Sequence, residues 1–355
     1  MRILYGVQTT GRGHLTRARP MVAALKARGH DVHILFSGPP LDPEWLDPVF
    51  TPYTTRRGLT FVTRRGRISH LATMLQLRFG EMERDIYAFD TAGVDLIVTD
   101  YEPITARIGW LRNIPCIGIG HLYAFAHRDV PIAGLNLFNR MVMKCFAPAS
   151  IPLGLHWHHF ERPILPPTVS LEELSQPTRD GEHILVYMPF ESVTEVVRTL
   201  NAVRGHQFRF YCRVDTPREE GNVALRPLNR EAFVTDLIGC RGVIANTGFT
   251  FISEALHLGR KILTKPLTQQ TEQESNALAL RRLGLATVVR RLSAGAIANW
   301  AEQPDPPPAN YPDVLAAVAN WIHQGQWQDV EKLSATLWSQ VSIPAPQGPR
   351  APRCP

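Results

Sequence analysis

The amino-acid sequence predicts an α/β protein of two doubly wound, Rossmann-like domains that face each other across a cleft. The chain has 355 residues, which suits two domains of roughly 150 residues each. Apolar strand segments alternate with helical segments in both halves, a pattern typical of parallel sheets with helices on both faces. A proline-rich stretch over residues 146–182 separates the halves and predicts the connection between the domains.

The first half begins with a strand, a glycine-containing turn and a helix. Residues 2–8 are apolar, and residues 15–28 carry apolar side chains at helical spacing before Gly29, a natural C-terminal cap. A strand over residues 32–36 follows after a short crossover, which predicts a parallel pair. A strand, a helix and another strand are then predicted over residues 95–100, 103–112 and 115–120.

The second half repeats this architecture. Its strands are predicted over residues 183–188, 208–214, 242–245 and 261–264, and helices fill the intervals. One last helix is expected over residues 312–340. The predicted units are a first domain (1–165), a second domain (166–310), a C-terminal helical segment (311–342) that could pack back on the first domain, and a proline-rich, disordered tail (343–355).

Composition and charge exclude several classes of protein. The apolar stretch over residues 104–120 is interrupted by polar side chains and cannot span a bilayer, and the N-terminus has no signal-peptide pattern. Five scattered cysteines form no Cys-x-x-Cys pair. We therefore expect a cytoplasmic location.

Residues 1–165 hold 19 Lys/Arg against 13 Asp/Glu and the remainder holds 19 of each, so the first half can attract an anionic partner.

The first candidate site directly follows strand 1 and reads Gln8-Thr9-Thr10-Gly11-Arg12-Gly13-His14. Such glycines permit a tight turn and a close approach of the backbone to a ligand, and the next helix directs its N-terminal amides at the crevice. His14 stands where a general base could act, and Asp100 ends another strand at the same crevice. A carboxylate behind an imidazole fixes its tautomer, so His14 and Asp100 are the predicted catalytic pair.

The second candidate site is the most specific pattern in the chain. A strand ends in Asn246-Thr247-Gly248-Phe249, a glycine-containing turn that opens a helix and suits a diphosphate. Two turns into that helix, Glu254 could accept hydrogen bonds from vicinal ribose hydroxyls. The pattern continues through Gly259 and Pro266 to a polar segment that suits sugar hydroxyls and reads Gln269-Gln270-Thr271-Glu272-Gln273-Glu274-Ser275-Asn276-Ala277.

This segment resembles the nucleotide-sugar signature of GT-B glycosyltransferases, particularly the MurG-like N-acetylglucosaminyltransferases and the UDP-glycosyltransferases. The Gly11-Arg12-Gly13-His14 turn resembles the glycine-rich acceptor-side loop of the same proteins, and the resemblance extends over about residues 1–290. It implies a GT-B fold and a hexosyltransferase. The donor would be a UDP-sugar such as UDP-N-acetylglucosamine or UDP-glucose, and the acceptor a hydroxyl of a lipid-linked or cell-envelope glycan.

The resemblance also implies roles for individual residues. Glu254 would bind the ribose, and the backbone of Thr247, Gly248 and Phe249 would bind the diphosphate. Ser192, in the loop after the first strand of the second half, would also face the phosphates, although Ser192 and Glu195 form a capping-box pattern that offers a purely structural role. The donor sugar would contact Glu272, Gln273 and Asn276. The turn over Gly11, Arg12 and Gly13 would lie on the acceptor side. Independently of the resemblance, Glu102 is placed on the same side, and His121, at a third strand end, could bind the acceptor or simply pack.

No metal or other cofactor is expected. The chain has no Asp-x-Asp pair of the kind that holds a metal ion on a diphosphate. Helix N-termini and hydrogen bonds would then stabilise the leaving diphosphate. A family departure is the lack of an arginine at residues 188–192, for which Arg204 or Arg226 could substitute. The segment His156-Trp157-His158-His159 lacks a carboxylate or cysteine at a plausible spacing for a metal site.

Two basic segments suggest contact with the inner face of an anionic membrane. Arginines flank residues 58–62, at positions 56, 57, 64, 65 and 67, and residues 132–146 mix apolar side chains with Arg140 and Lys144. The alternative is an ordinary core helix with solvated arginines.

Three other functions stay open at the level of sequence. One is a UDP-sugar epimerase of the same fold, and another is a non-catalytic nucleotide-sugar-binding protein. A nucleic-acid binder is disfavoured because the arginines come with no recognised motif or aromatic stacking array.

Overall fold

The computed structural model describes residues 1–10, 12–41, 46–58, 63–64, 67–68, 79–134, 145–174, 181–325 and 327–342. For Arg12, Phe79 and residues 63–64 and 67–68 only the backbone is described. Gly11, the predicted tail over 343–355 and most of the basic, apolar segment over 132–146 lie outside the described residues.

The first domain is built on a six-stranded parallel sheet with strand order β3-β2-β1-β6-β7-β8. A separate two-stranded antiparallel sheet, β4-β5, lies between β3 and β6 in the chain. The strands are β1 (Arg2–Gln8), β2 (Asp31–Ser37), β3 (Tyr53–Arg56), β4 (Thr63–Arg64), β5 (Arg67–Ile68), β6 (Leu96–Asp100), β7 (Cys116–Gly120) and β8 (Ile151–Gly154). The helices are α1 (Arg12–Ala27), α2 (Phe79–Ala88), α3 (Pro103–Arg112) and the short α4 (His121–Ala124).

The second domain is built on a seven-stranded sheet with strand order β11-β12-β10-β9-β13-β14-β15, parallel except for β11. The strands are β9 (His183–Tyr187), β10 (Gln207–Tyr211), β11 (Arg218–Glu220), β12 (Val223–Arg226), β13 (Gly242–Asn246), β14 (Lys261–Lys265) and β15 (Thr287–Val288). The helices are α5 (Val193–Asn201), α6 (Arg230–Gly239), α7 (Phe249–His257), α8 (Thr271–Leu283) and α9 (Ala294–Ala301).

The central strands are largely apolar because helices cover both faces of each sheet. In β1, Ile3, Leu4, Tyr5 and Val7 are all buried, and in β13 every residue is buried. These runs anchor the strands, so that the polar residues just beyond their carboxyl ends are held at the sheet edge.

Each sheet has one point where the strand order reverses. In the first sheet this point lies between β1 and β6, and in the second it lies between β9 and β13. Loops that leave neighbouring strands in opposite directions open a crevice there, which is where open α/β sheets bind ligands. His14 and Asp100 flank the first crevice, and Ser192 and Thr247 flank the second.

The end of the chain returns to the first domain through α10 (Val314–Gln324) and α11 (Val330–Trp338). Helix α10 packs against α1, where His323 Nδ1 lies 3.2 Å from His30 Nε2. In α11, Ser334 Oγ donates to the carbonyl of Ile164 at 2.8 Å. The prediction of one helix over residues 312–340 is wrong, because Gly325 adopts a left-handed conformation (φ +73°) and ends α10.

Part of the connection that was expected to be irregular belongs to the first sheet. Residues 151–154 form β8, which pairs in parallel with β7 despite containing Pro152. Proline is tolerated because β8 is an edge strand, where a missing amide breaks no inner ladder. Among the described residues, no helix is long and apolar enough to cross a bilayer.

Candidate active site

His14 and Asp100 meet at the crevice of the first sheet. β1 and β6 are neighbours, and Asp100 pairs with Val7 near the end of β1, so the turn that carries His14 lies beside Asp100. His14 Nδ1 lies 3.0 Å from Asp100 Oδ1. Asp100 is fully buried, whereas the His14 side chain is 24% exposed. Within the described part of the chain Nε2 of His14 has no hydrogen-bond partner, so this nitrogen is available to a substrate proton.

Arg17 completes this cluster, although sequence reasoning assigned it no role. Its Nε donates to Asp100 Oδ2 at 3.0 Å and its Nη2 donates to Oδ1 at 2.6 Å. Burial alone would raise the pKa of Asp100, but Arg17 and then His14 reverse that effect and lower the pKa below its ordinary value. The sequence contained a signal for this contact: Arg17 follows His14 by three residues, and residues three apart in a helix share a face.

The backbone turns sharply at the end of β6. Tyr101, directly after Asp100, adopts φ +54°, a left-handed conformation that is uncommon for a residue other than glycine. Its side chain is buried and stacks on Phe146 with ring centroids 5.4 Å apart. Backbone strain of this kind costs about 1–3 kcal/mol and tends to occur at functional sites.

The N-terminus of α7 forms the opposite side of the cleft. The amide of Thr247 already donates to Gln273 Oε1 at 3.1 Å, and that of Gly248 donates to the carbonyl of Asn246 at 2.8 Å. The amides open to an anion are therefore those of the first helical turn, residues 249–251, since a helix leaves these without an internal acceptor. A Cβ built on Gly248 would meet nothing within 4 Å, so there is space for a ligand beside the turn.

Glu254 is held inside the second domain by Arg230, another residue that sequence reasoning missed. Arg230 Nη2 donates to Glu254 Oε1 at 2.9 Å and to Glu173 Oε2 at 2.6 Å. Burial is the main influence on the pKa of Glu254 and raises it, and Arg230 opposes the rise. Asn229 positions Arg230 by capping α6, since its side chain accepts from the amide of Ala232. The Glu254 side chain is 2% exposed, and among the described side chains only Arg230 bonds it, through Oε1.

Two of the three residues predicted to hold the donor sugar are used within the protein. Gln273 Oε1 accepts from the amides of Thr247 and Leu267, each at 3.1 Å, and so braces the turns after β13 and β14. Asn276 is fully buried and its Nδ2 donates to the carbonyl of Thr247 at 3.1 Å. Glu272 is only half-buried and contributes, after burial, to raising the pKa of Tyr101 across the cleft.

The two domains touch directly through His121. Its Nε2 lies 2.5 Å from Asn276 Oδ1, its Nδ1 lies 2.8 Å from the carbonyl of Leu155, and its ring stacks on Phe249 at a centroid distance of 4.0 Å. Burial lowers the pKa of His121. Of the two roles predicted for His121, the structure agrees with packing and not with the acceptor side, because both ring nitrogens lie against oxygens of the protein and the residue is an interdomain contact.

Gly13 also makes an interdomain contact. A Cβ at this position would lie 2.8 Å from Thr250 Oγ1, so a side chain here would force the Thr250 side chain to move. Trp157 Nε1 donates to Ser253 Oγ at 2.9 Å along the same boundary. The remaining acceptor-side candidates in this turn, Gly11 and the side chain of Arg12, lie outside the described residues.

Two further predictions are corrected by the structure. Glu102 is fully buried and caps α3, where its carboxylate accepts from the amides of Ile104 and Thr105 at 2.8 and 2.7 Å. It therefore cannot face an acceptor. Ser192 stands at the N-cap of α5 but its side chain makes no capping hydrogen bond, so the predicted capping box does not form and the exposed hydroxyl is open to a ligand.

A lysine that the sequence analysis did not consider, Lys265 at the end of β14, lies at the first loop of the second domain. Its Nζ lies 2.5 Å from Glu191 Oε1, which also accepts from Asn246 Nδ2 at 3.2 Å. The suggested substitute Arg226 instead pairs with Glu219 at 2.9 Å.

In the segment His156-Trp157-His158-His159, His156 is fully buried, and nowhere in the described ranges do three His, Cys, Asp or Glu side chains come together as a metal ion requires.

Comparison with known proteins identifies the family. The sequence model for glycosyl transferase family 1 matches residues 1–303, most of the chain. The chain belongs to glycosyl transferase family 1. It is therefore a sugar transferase, and the two facing sheets are its GT-B fold. A search of curated proteins finds no sequence match to this glycosyltransferase.

Solved structures resemble this glycosyltransferase over nearly its whole length. The glycosyltransferase SsfS6 of Streptomyces sp. SF2575, complexed with thymidine diphosphate, has a TM-score of 0.57 at 14% identity and covers 98% of this chain and 97% of its own. LpCGTa in complex with UDP has a TM-score of 0.55 at 15% identity and covers 96% and 98%. MurG of Acinetobacter baumannii has a TM-score of 0.54 at 13% identity and covers 91% and 99%. At these identities the similarity shows the fold alone.

Proposed function

We propose that this glycosyltransferase moves a sugar from a nucleotide diphosphate donor, a UDP-sugar in the first instance, to an acceptor hydroxyl without a metal ion. The observation behind the proposal is that a candidate base, His14, lies close to a candidate anion site, the first turn of α7. His14, with an open Nε2, stands one residue from Gly13, and Gly13 lies against Thr250 in the first turn of α7. A proton acceptor and an anion site thus face each other across one cleft.

The side chains of the first domain support a base-catalysed attack. An acceptor hydroxyl beside Nε2 of His14 would lose its proton to the imidazole as its oxygen attacks the anomeric carbon of the donor sugar. Asp100 would hold the Nδ1 proton and stabilise the imidazolium that forms. Because Asp100 is fully buried and already paired, its orientation is fixed before the substrate arrives.

The second domain would bind the nucleotide and stabilise the leaving group. The bond from the anomeric carbon to the diphosphate breaks, and the electron pair leaves with the diphosphate oxygen. The amides at residues 249–251 and the positive end of the α7 dipole would receive that charge. Glu254 Oε2 would accept from a ribose hydroxyl, and Ser192 and Glu272 would reach the phosphates and the sugar.

The donor assignment draws on the site and on similar proteins. SsfS6 and LpCGTa were solved with thymidine diphosphate and UDP, so similar folds hold nucleoside diphosphates of pyrimidines. We propose UDP-N-acetylglucosamine or UDP-glucose as donor because of the resemblance to MurG-like enzymes. Domain closure around the His121–Asn276 contact would exclude the water that otherwise hydrolyses the donor.

For the acceptor we propose a lipid-linked or cell-envelope glycan, met by a cytoplasmic enzyme at an anionic membrane surface. The support is the net positive charge, which comes entirely from residues 1–165. The test is co-sedimentation with anionic and neutral vesicles at rising salt, since charges at a surface are screened within about 10 Å at 0.1 M salt. Equal binding to both kinds of vesicle would reject the membrane contact.

The test of function is a thermal-shift screen of UDP-, GDP- and dTDP-sugars followed by analysis of the products. A ligand at 100 times its Kd stabilises the folded state by about 2.7 kcal/mol, which gives a clear rise in Tm. Transfer or slow hydrolysis of the stabilising donor supports a transferase. Conversion of the donor into its epimer would establish the epimerase alternative, and binding without any turnover would favour a non-catalytic sensor.

A further inference from the structure

Arg17 is a deeply buried cation at the cleft. Its side chain is only 6% exposed, although it lies on the helix that borders the cleft. Removing a guanidinium from water costs several kcal/mol unless it is well paired. The pairing here is two parallel hydrogen bonds to both oxygens of Asp100, the arrangement in which arginine binds a carboxylate most strongly. The cluster is therefore a buried, paired charge and not a surface ion pair.

The Asp100 carboxylate is shared between two donors. Oδ1 receives Arg17 Nη2 at 2.6 Å and faces His14 Nδ1 at 3.0 Å, while Oδ2 receives Arg17 Nε at 3.0 Å. Arg17 Nη2 also lies 3.3 Å from His14 Nδ1. A positive charge this close to an imidazole opposes its protonation, whereas an unshared carboxylate would favour it.

The other groups around the cluster cannot replace Arg17. Tyr5 reaches it from β1, but its phenol is buried and its pKa is raised by that burial and then by Asp100, so it stays neutral. Glu272, from α8, adds a negative charge that acts on Arg17 and on His121. His121 itself is engaged on both ring nitrogens. Among the described side chains, removal of the guanidinium would therefore leave His14 as the nearest cation to the buried carboxylate.

We infer that Arg17 is a positioning residue that keeps the Asp100 carboxylate charged and aligned behind His14 and offsets the pull of that carboxylate on the His14 proton. The guanidinium beside Nδ1 opposes the addition of a proton to the imidazole, while the carboxylate still aligns the ring. The inference rests on the proposed role of His14 in sugar transfer, and it concerns the protonation of the pair and not the identity of donor or acceptor.

The test uses Arg17→Met, which keeps most of the side-chain volume and removes the charge. The acidic limb of the pH–rate profile should move to higher pH by about 1 unit or more, the usual effect of an adjacent charge. The rate at neutral pH should fall and should recover in part as the pH is raised, which a merely structural defect would not show. Arg17→Lys, which keeps a charge, should leave the limb near its original pH.

A matched control is Arg19→Met, on the same helix, whose side chain is 61% exposed and pairs with Asp47. Arg19→Met should change neither the rate nor the pH of the acidic limb. UDP affinity measured by calorimetry should be unchanged in Arg17→Met. The inference is overturned if UDP binding weakens tenfold or more while the acidic limb stays at its original pH. Arg17 would then contact the donor, close to the point where its Nη1 lies 3.4 Å from Thr250 Oγ1.

A second readout needs no turnover and separates this inference from the proposed function. The ring protons of His14, assigned by their loss in His14→Ala, can be titrated by NMR in the parent and in Arg17→Met. A midpoint that moves to higher pH in Arg17→Met supports the inference even if no donor is ever turned over. An unmoved midpoint in a variant with an unchanged Tm overturns it, whatever the enzyme transfers.

Discussion

The two walls of the cleft carry different kinds of polar group. The first-domain wall carries buried side-chain charges that are already paired, with Asp100 between His14 and Arg17. The second-domain wall presents backbone amides of α7 beside an open Gly248, with Glu254 as its buried carboxylate. Fixed charges suit the transfer of a proton, because their positions do not change during the reaction. Open amides suit an anion that arrives and leaves, so the first wall should govern turnover and the second should govern binding.

The largest effect is expected at the first wall. His14→Ala should lower turnover by about 10²–10⁴-fold, the usual contribution of a positioned proton acceptor, while UDP affinity stays unchanged. Asp100→Asn should also lose rate, because an amide cannot stabilise an imidazolium as a carboxylate does. The double variant should lose less than the product of the single losses, since both residues serve one proton transfer. Steady-state kinetics of the three variants decide this, and multiplicative losses would mean that the residues act independently.

The next effect belongs to the second wall and should appear in binding. Glu254→Ala should weaken UDP by about 1–3 kcal/mol, as expected when hydrogen bonds to a charged group are lost. Arg230 would then be left partly unpaired, so the Tm of the variant must be compared with the parent. Glu231→Ala, an exposed carboxylate on α6, is the matched control. Unchanged UDP affinity by calorimetry in folded Glu254→Ala would remove this residue from the site.

A smaller effect is expected where the two walls join. His121→Phe keeps the stacking on Phe249 but removes both ring nitrogens, so the buried oxygen of Asn276 or of Leu155 that accepts the single N–H of the neutral imidazole loses its donor. We expect a loss of about 1–3 kcal/mol in the free energy of unfolding, measured with denaturant. His206→Phe, half-buried on the second domain, provides the comparison. A Tm equal to that of the parent would show that the interdomain bond carries no net stability.

The smallest effect on activity is expected from Glu102→Gln. The glutamine keeps one acceptor oxygen for the amides of α3, and capping residues contribute about 0.5–2 kcal/mol, so stability should fall modestly. Turnover should be nearly unchanged because Glu102 is sealed from the cleft. A large loss of turnover without a loss of stability would return Glu102 to the acceptor side.

Much of the fold follows from the sequence, because buried parallel strands are apolar runs with polar ends. The bounds of β1 and α3 agree with the predictions, and the predicted closeness of His14 and Asp100 follows from two strand ends at one switch point. The contacts that the sequence did not predict join residues that are far apart along the chain. Asn276 was assigned to the sugar by the family resemblance, but its amide turns inward to Thr247 and His121. Arg230 lies 24 residues from Glu254 along the chain, and no local pattern connects the two.

The most direct test of the account is a crystal structure of the protein grown with UDP in the presence of EDTA, because it requires no knowledge of the acceptor. The account predicts the diphosphate within hydrogen-bond distance of the amides of Phe249 and Thr250, a ribose hydroxyl on Glu254 Oε2, and His14 facing the position of the donor sugar. UDP bound elsewhere, or bound in this cleft only when EDTA is replaced by magnesium or manganese that bridges the phosphates, would contradict it.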